Sequence, residues 1–68
     1  MADMKMLRDI IESSGMTMVA VSNKAGISRE TLYNRLNSKG DFKISEIEGL
    51  TKALNLTKKE RDMIFFAH

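Results

Sequence analysis

Residues 23–37 read "NKAGISRETLYNRLN", in which a single glycine at position 26 parts two segments of helical character. Gly26 fits the place just after a helix end, where the backbone takes positive φ at a cost to other residues of about 1 kcal/mol or more. Upstream, "TMVAVSNKA" can be capped by Thr17 and turns either Met18, Val21 and Ala25 or Val19 and Ala20 inward. Downstream, Ser28 caps a second segment in which Leu32 and Leu36, four apart, share one buried face. The spacing therefore predicts a helix over about 17–25 and another over about 28–37, joined by a tight turn at Gly26 and Ile27. Small Ala25 and apolar Ile27 let the two helices cross closely, which is a helix-turn-helix.

With Leu32 and Leu36 inward, Arg29, Glu30, Tyr33, Asn34 and Asn37 point to solvent. A DNA major groove admits one helix, and arginine can read guanine, asparagine adenine, and glutamate the cytosine amino group. The free amides and dipole at Ser28 suit a phosphate. Glu30 is either a specificity device or a first-turn residue that complements the helix dipole. Tyr33 could pack beside the following loop or touch a phosphate or a thymine methyl. Charge is concentrated on the same region. The net charge is +2, yet residues 24–43 hold five basic against two acidic side chains, a local +3. Lys24, Arg35, Lys39 and Lys43 are candidates for nonspecific attraction to a polyanion, with Arg35 turning toward helix two.

Outward from this pair the chain has helix signals and no strand. "DMKMLRDIIESSG" sets Met4, Leu7, Ile10 and Ile11 on one face between an Asp3 cap and a Gly15 stop. "SEIE" (Ser45–Glu48) and "TKKE" (Thr57–Glu60) both match the capping box and open the fourth and fifth helices. In the last helix, an inner stripe of Met63, Ile64 and Ala67 would leave Phe66 at its edge and Phe65 pointing away. An exposed phenylalanine calls for a partner, unless Phe65 folds back over a thin core. The expectation is one all-α domain of five helices over residues 1–68.

Composition excludes several function classes. A 68-residue chain buries only about 60% of its unfolded surface, leaving little room for a catalytic cavity. Zero cysteines remove a disulfide framework and a thiolate metal site, and His68, the one histidine, stands at the end of the sequence. No acid and base can be paired from these positions, so neither an enzyme nor a cofactor is expected. The first residues lack the apolar run of a signal peptide, and nothing approaches a membrane span, so a cytoplasmic location is expected.

"AGISRETLYNRLN" followed by "ISEIEGLTKALNLTKKE" resembles the Cro and lambda-repressor type (Xre-like) helix-turn-helix family over residues 5–67. "LYNRLNSKGDFKISEIEGLTKALNLTKKERDMIFFA" is similar to small phage-associated Cro-like regulators of Gram-positive bacteria. The resemblance implies five helices around one core, helix three as the recognition helix, and dimers on an operator. It implies base-reading positions at Arg29, Glu30 and Asn34, and backbone positions at Ser28, Tyr33, Asn37 and Lys39. Thr17, as the cap of helix two, joins the backbone candidates. It also implies a homodimer, for which Phe65 and Phe66 are the interface candidates. Many members open helix two with a glutamine where this chain has Met18.

The expected function is a sequence-specific DNA-binding transcriptional regulator of the phage or prophage Cro/repressor type. The alternative is a protein-interaction module that binds another regulator through the same face or the last helix. The modest net charge, Met18 and Glu30 on the reading face are its warrants.

Overall fold

The computed structural model describes residues 3–66, and among them are five helices and no strand. They are α1 (Met4–Ser13), α2 (Met18–Ala25), α3 (Arg29–Leu36), α4 (Ile44–Ala53) and α5 (Lys58–Phe65). Four begin on the side chains that the sequence offers as caps. Asp3, Thr17, Ser28 and Thr57 each accept a bond from the backbone N–H three residues on, at 3.0–3.1 Å. At Thr57 the reciprocal bond to the Glu60 carboxylate completes the capping box.

The fourth helix starts earlier than "SEIE" suggests. Its N-cap is Lys43, and the Glu46 carboxylate, three residues later, accepts the Lys43 N–H at 2.9 Å. Lysine has no acceptor, so only this half of the box forms. Ser45 falls inside the first turn instead, because Glu46 is drawn inward by Arg35.

Three helices stop in one way. Gly26, Ser38 and Asn55 take left-handed φ of 74°, 62° and 53° after α2, α3 and α4. In each case the next amide reaches back five residues: Ile27 to Ser22, Lys39 to Asn34, and Leu56 to Thr51, at 2.7–3.1 Å. This is the Schellman pattern, which satisfies carbonyls that a helix end would leave free.

The fully buried Leu7, Val21, Leu32, Leu50 and Ile64 draw one residue from each helix into a common core. Helix α2 is thus settled with Val21 and Ala25 inward and Val19 exposed. Met4, Met6, Met16 and Met18 pack as partly buried fillers around the core. The Asp3 N–H donates to the Ile64 carbonyl at 2.6 Å, so α1 is tied to α5.

The last helix is rotated from the expected stripe. Phe65 is buried and meets Phe42 edge to face, with ring centroids 5.1 Å apart, while Met63 and Phe66 are exposed. The Phe42 ring, in the joint between α3 and α4, supplies the apolar partner that Phe65 needs. Phe65 is therefore core, not interface; Ala67 and His68 lie outside the described residues. Among the described residues no helix is long and apolar enough to cross a membrane.

Candidate nucleic-acid interface

The Ser28 hydroxyl accepts the Thr31 N–H and donates to the Thr31 hydroxyl at 2.8 Å, fixing the first turn of α3. From that turn Arg29 and Glu30 are exposed, Tyr33 follows at 46% exposure, and Asn34 is half-buried. Leu32 and Leu36 are buried on the opposite side. The expected separation of a polar outer face from an apolar inner face is thus present on α3. Thr17 uses its oxygen as an acceptor for the Ala20 N–H, which leaves its O–H to donate outward.

The cationic candidates divide. Lys24, in the last turn of α2, and Lys39 and Lys43, in the joint between α3 and α4, are exposed. Arg35 is not available in the same way. It turns toward α4 rather than α2, and its Nε lies 3.1 Å from the Glu46 carboxylate. The two side chains retain only 17% and 9% exposure, and Arg35 also donates to the Lys39 carbonyl at 3.3 Å. Its charge is spent inside the protein, in the ion pair that offsets the burial of Glu46.

Burial alone would raise the Glu46 carboxyl. The Lys43 N–H, the bond from Arg35 and the positive charges of Arg35 and Lys43 outweigh that, and hold it below the usual glutamate range. Glu46 therefore stays ionised and fastens α4 to the recognition-helix candidate. Arg35 and Glu46 stand on different helices with a loop between them, so this pair has no local signature in the sequence.

Asn37 is exposed, yet its carboxamide oxygen accepts from Arg8 Nη2 at 2.9 Å. Arg8 comes from α1, and with Met18 and Tyr33 it lines one cleft where α1, α2 and α3 meet. Sequence reasoning did not single out Arg8, since nothing near it in the chain reports a contact 29 residues away.

Gly49 was likewise missed. A Cβ there would stand 3.0 Å from the Ala25 carbonyl carbon, so α4 lets the backbone at the end of α2 lie directly against it. The helix-turn-helix thus rests on α4 from two directions, through Gly49 under α2 and Glu46 under α3.

Met63 and Phe66, each 45% exposed, form an apolar edge on α5 beside Lys58, Lys59 and Asp62. The Arg61 guanidinium carbon sits 5.9 Å from the Phe66 ring centre. Among the described residues no cluster of histidine, cysteine, aspartate or glutamate could hold a metal ion.

A helix-turn-helix family model matches residues 7–60, a span running from α1 into α5. No curated protein and no solved structure matches the chain significantly.

Proposed function

We propose that this chain, which belongs to the lambda-repressor-like helix-turn-helix family of DNA-binding regulators, is a single-domain transcriptional regulator that reads a specific operator with α3. The observation that carries the reading is the sidedness of α3: Leu32 and Leu36 anchor it in the core while Arg29, Glu30, Tyr33 and Asn34 line its outer face. Arg29 bears most of the discrimination, a bidentate guanine contact being worth roughly 1–3 kcal/mol. Asn34 and Glu30 modify it. Thr17, Ser28, Tyr33, Lys24, Lys39 and Lys43 approach backbone phosphates, which position the protein without reading sequence.

A homodimer on a two-fold operator fits this reading, with Phe66 and its neighbour Met63 at the interface, so that two recognition helices stand about 34 Å apart. The likeness of residues 32–67 to small phage-associated Cro-like regulators supports a Cro or repressor role in the cytoplasm.

The test is selection of bound duplexes from a random pool with the wild type and Arg29→Ala, at low and near-physiological salt. The expected result is a motif with two symmetric half-sites about 10 base pairs apart, degraded at a guanine by the substitution. A folded wild type that enriches no sequence would refute the reading and turn attention to a protein partner.

A further inference from the structure

The helix assigned to base reading has a weak end. Helix α2 stops on Gly26 and α4 on Asn55, residues that enter the left-handed region readily, but α3 stops on Ser38 at φ 62°. Serine has a Cβ and pays for that conformation, so the Schellman turn after α3 needs support from elsewhere. The support in place is Arg8. From α1, its Nη2 donates to the Leu36 carbonyl at 2.7 Å and to the Asn37 carboxamide oxygen at 2.9 Å. Leu36 is the last residue of α3 and Asn37 its C-cap, so a single guanidinium nitrogen grips both residues at the point where the helix must end. A cation there also complements the negative end of the helix dipole. Among the described residues Arg8 forms no ion pair with a carboxylate, so it is committed to this helix end and not to a surface salt bridge.

We propose that Arg8 is a positioning residue for the recognition helix: it locks the strained α3 C-terminal turn from α1, and thereby sets the orientation in which α3 presents its outer face. The proposal rests on α3 being the reading element. It differs from a phosphate contact in what it controls. A phosphate contact adds affinity for every duplex alike, whereas a positioning contact acts on discrimination, because base edges must be met within a fraction of an ångström.

The test uses the full chain as Arg8→Ala, Asn37→Ala and the double variant Arg8→Ala with Ser38→Gly, each checked for folding by circular dichroism. Without DNA, amide hydrogen exchange is followed at Ser38 and Lys39, whose N–H groups close the turn on the Arg35 and Asn34 carbonyls at 3.0 and 2.7 Å. Arg8→Ala is expected to speed exchange at these two amides about tenfold, the scale of a charge-assisted hydrogen bond, with the amide of Leu54, the C-cap of α4, unchanged. Asn37→Ala, which removes one of the two bonds, gives a smaller effect. Adding Ser38→Gly relieves the strain and restores slow exchange. With DNA, Arg8→Ala lowers the ratio of affinity for the selected duplex over a scrambled one by about tenfold, and Ser38→Gly recovers most of it. Unchanged exchange at Ser38 and Lys39 overturns the proposal. So does an equal loss of affinity for both duplexes with a shallower salt dependence, which is the mark of a phosphate contact. A wild type that discriminates no duplex removes the reading of α3, and the exchange measurement still decides whether Arg8 locks the turn.

Discussion

Replacing Gly49 with alanine sets two effects of opposite sign against each other. Alanine is the better helix former by about 1 kcal/mol, and Gly49 lies in the interior of α4, so propensity alone predicts a more stable protein. The tertiary contact predicts the reverse. The new methyl would stand 3.0 Å from the Ala25 carbonyl carbon and 3.3 Å from its Cα, and would press hardest on the carbonyl oxygen. What it meets is backbone at the end of a helix, which cannot swing aside as a long side chain would. Overpacking of this kind costs about 1–3 kcal/mol and sometimes more. Since α2 must shift as a body, the cost belongs at the upper end of that range, and the net after the helix gain is a loss of about 2 kcal/mol. For a domain of this size each kilocalorie moves Tm by about 4–8 °C, so Gly49→Ala should melt roughly 10 °C lower. Thermal and urea unfolding followed by far-ultraviolet circular dichroism measure it, with Lys52→Ala on the exposed side of the same helix as a near-neutral control. Because Ala25 directly precedes Gly26, the displacement also reaches the turn into α3, and DNA affinity should fall with stability. A Gly49→Ala protein that melts at or above the wild-type temperature would show that α2 does not lie as close to α4 as described.

Three further outcomes concern the buried ion pair and the two adjacent phenylalanines. The folded Glu46 carboxyl is held below the ordinary glutamate range, so its stabilisation is fully present above that range. As pH falls through the range toward the folded value, the unfolded chain takes up the proton first and the stabilisation is lost. Glu46→Gln should therefore cost about 2 kcal/mol at neutral pH, the scale of a hydrogen bond between charged groups, since Arg35 loses its counter-ion, and the gap to wild type should narrow in acid. Denaturant midpoints measured across the acid range check this, and a gap independent of pH contradicts it. Phe65→Ala should lose about 3–5 kcal/mol, enough to unfold much of so small a domain, through the core space it leaves against Phe42. Phe66→Ala should stay within about 0.5 kcal/mol of wild type in stability while weakening self-association in sedimentation velocity. Equal melting losses for the two variants would mean that the assignment of Phe65 to the core and Phe66 to the surface is wrong.

The helices and the sidedness of α3 were legible because they are written in short-range chemistry. Asp3, Thr17, Ser28 and Thr57 announce helix starts through bonds spanning three residues, Gly26 announces a stop through its own φ, and Leu32 and Leu36 define a face through their spacing. Wherever the deciding partner was distant in the chain, local pattern failed. "SEIE" has the form of a capping box, but Arg35 draws Glu46 inward and the helix is capped two residues before Ser45, at Lys43. The same pairing takes Arg35 off the cationic surface. The local stripe of Met63, Ile64 and Ala67 turns Phe65 away and leaves Phe66 at the edge, and the distant Phe42 ring reverses that order by drawing Phe65 into the core. Arg8 and Gly49 carried no signal at all, because their meaning lies in the Leu36 carbonyl and the Ala25 backbone. Caps, turns and amphipathic periods reside in a few consecutive residues and survive as sequence. The rotation of α5, the fate of each charge and the closeness of α2 to α4 exist only once separate helices share one core, since each depends on which atoms packing brings within a few ångströms.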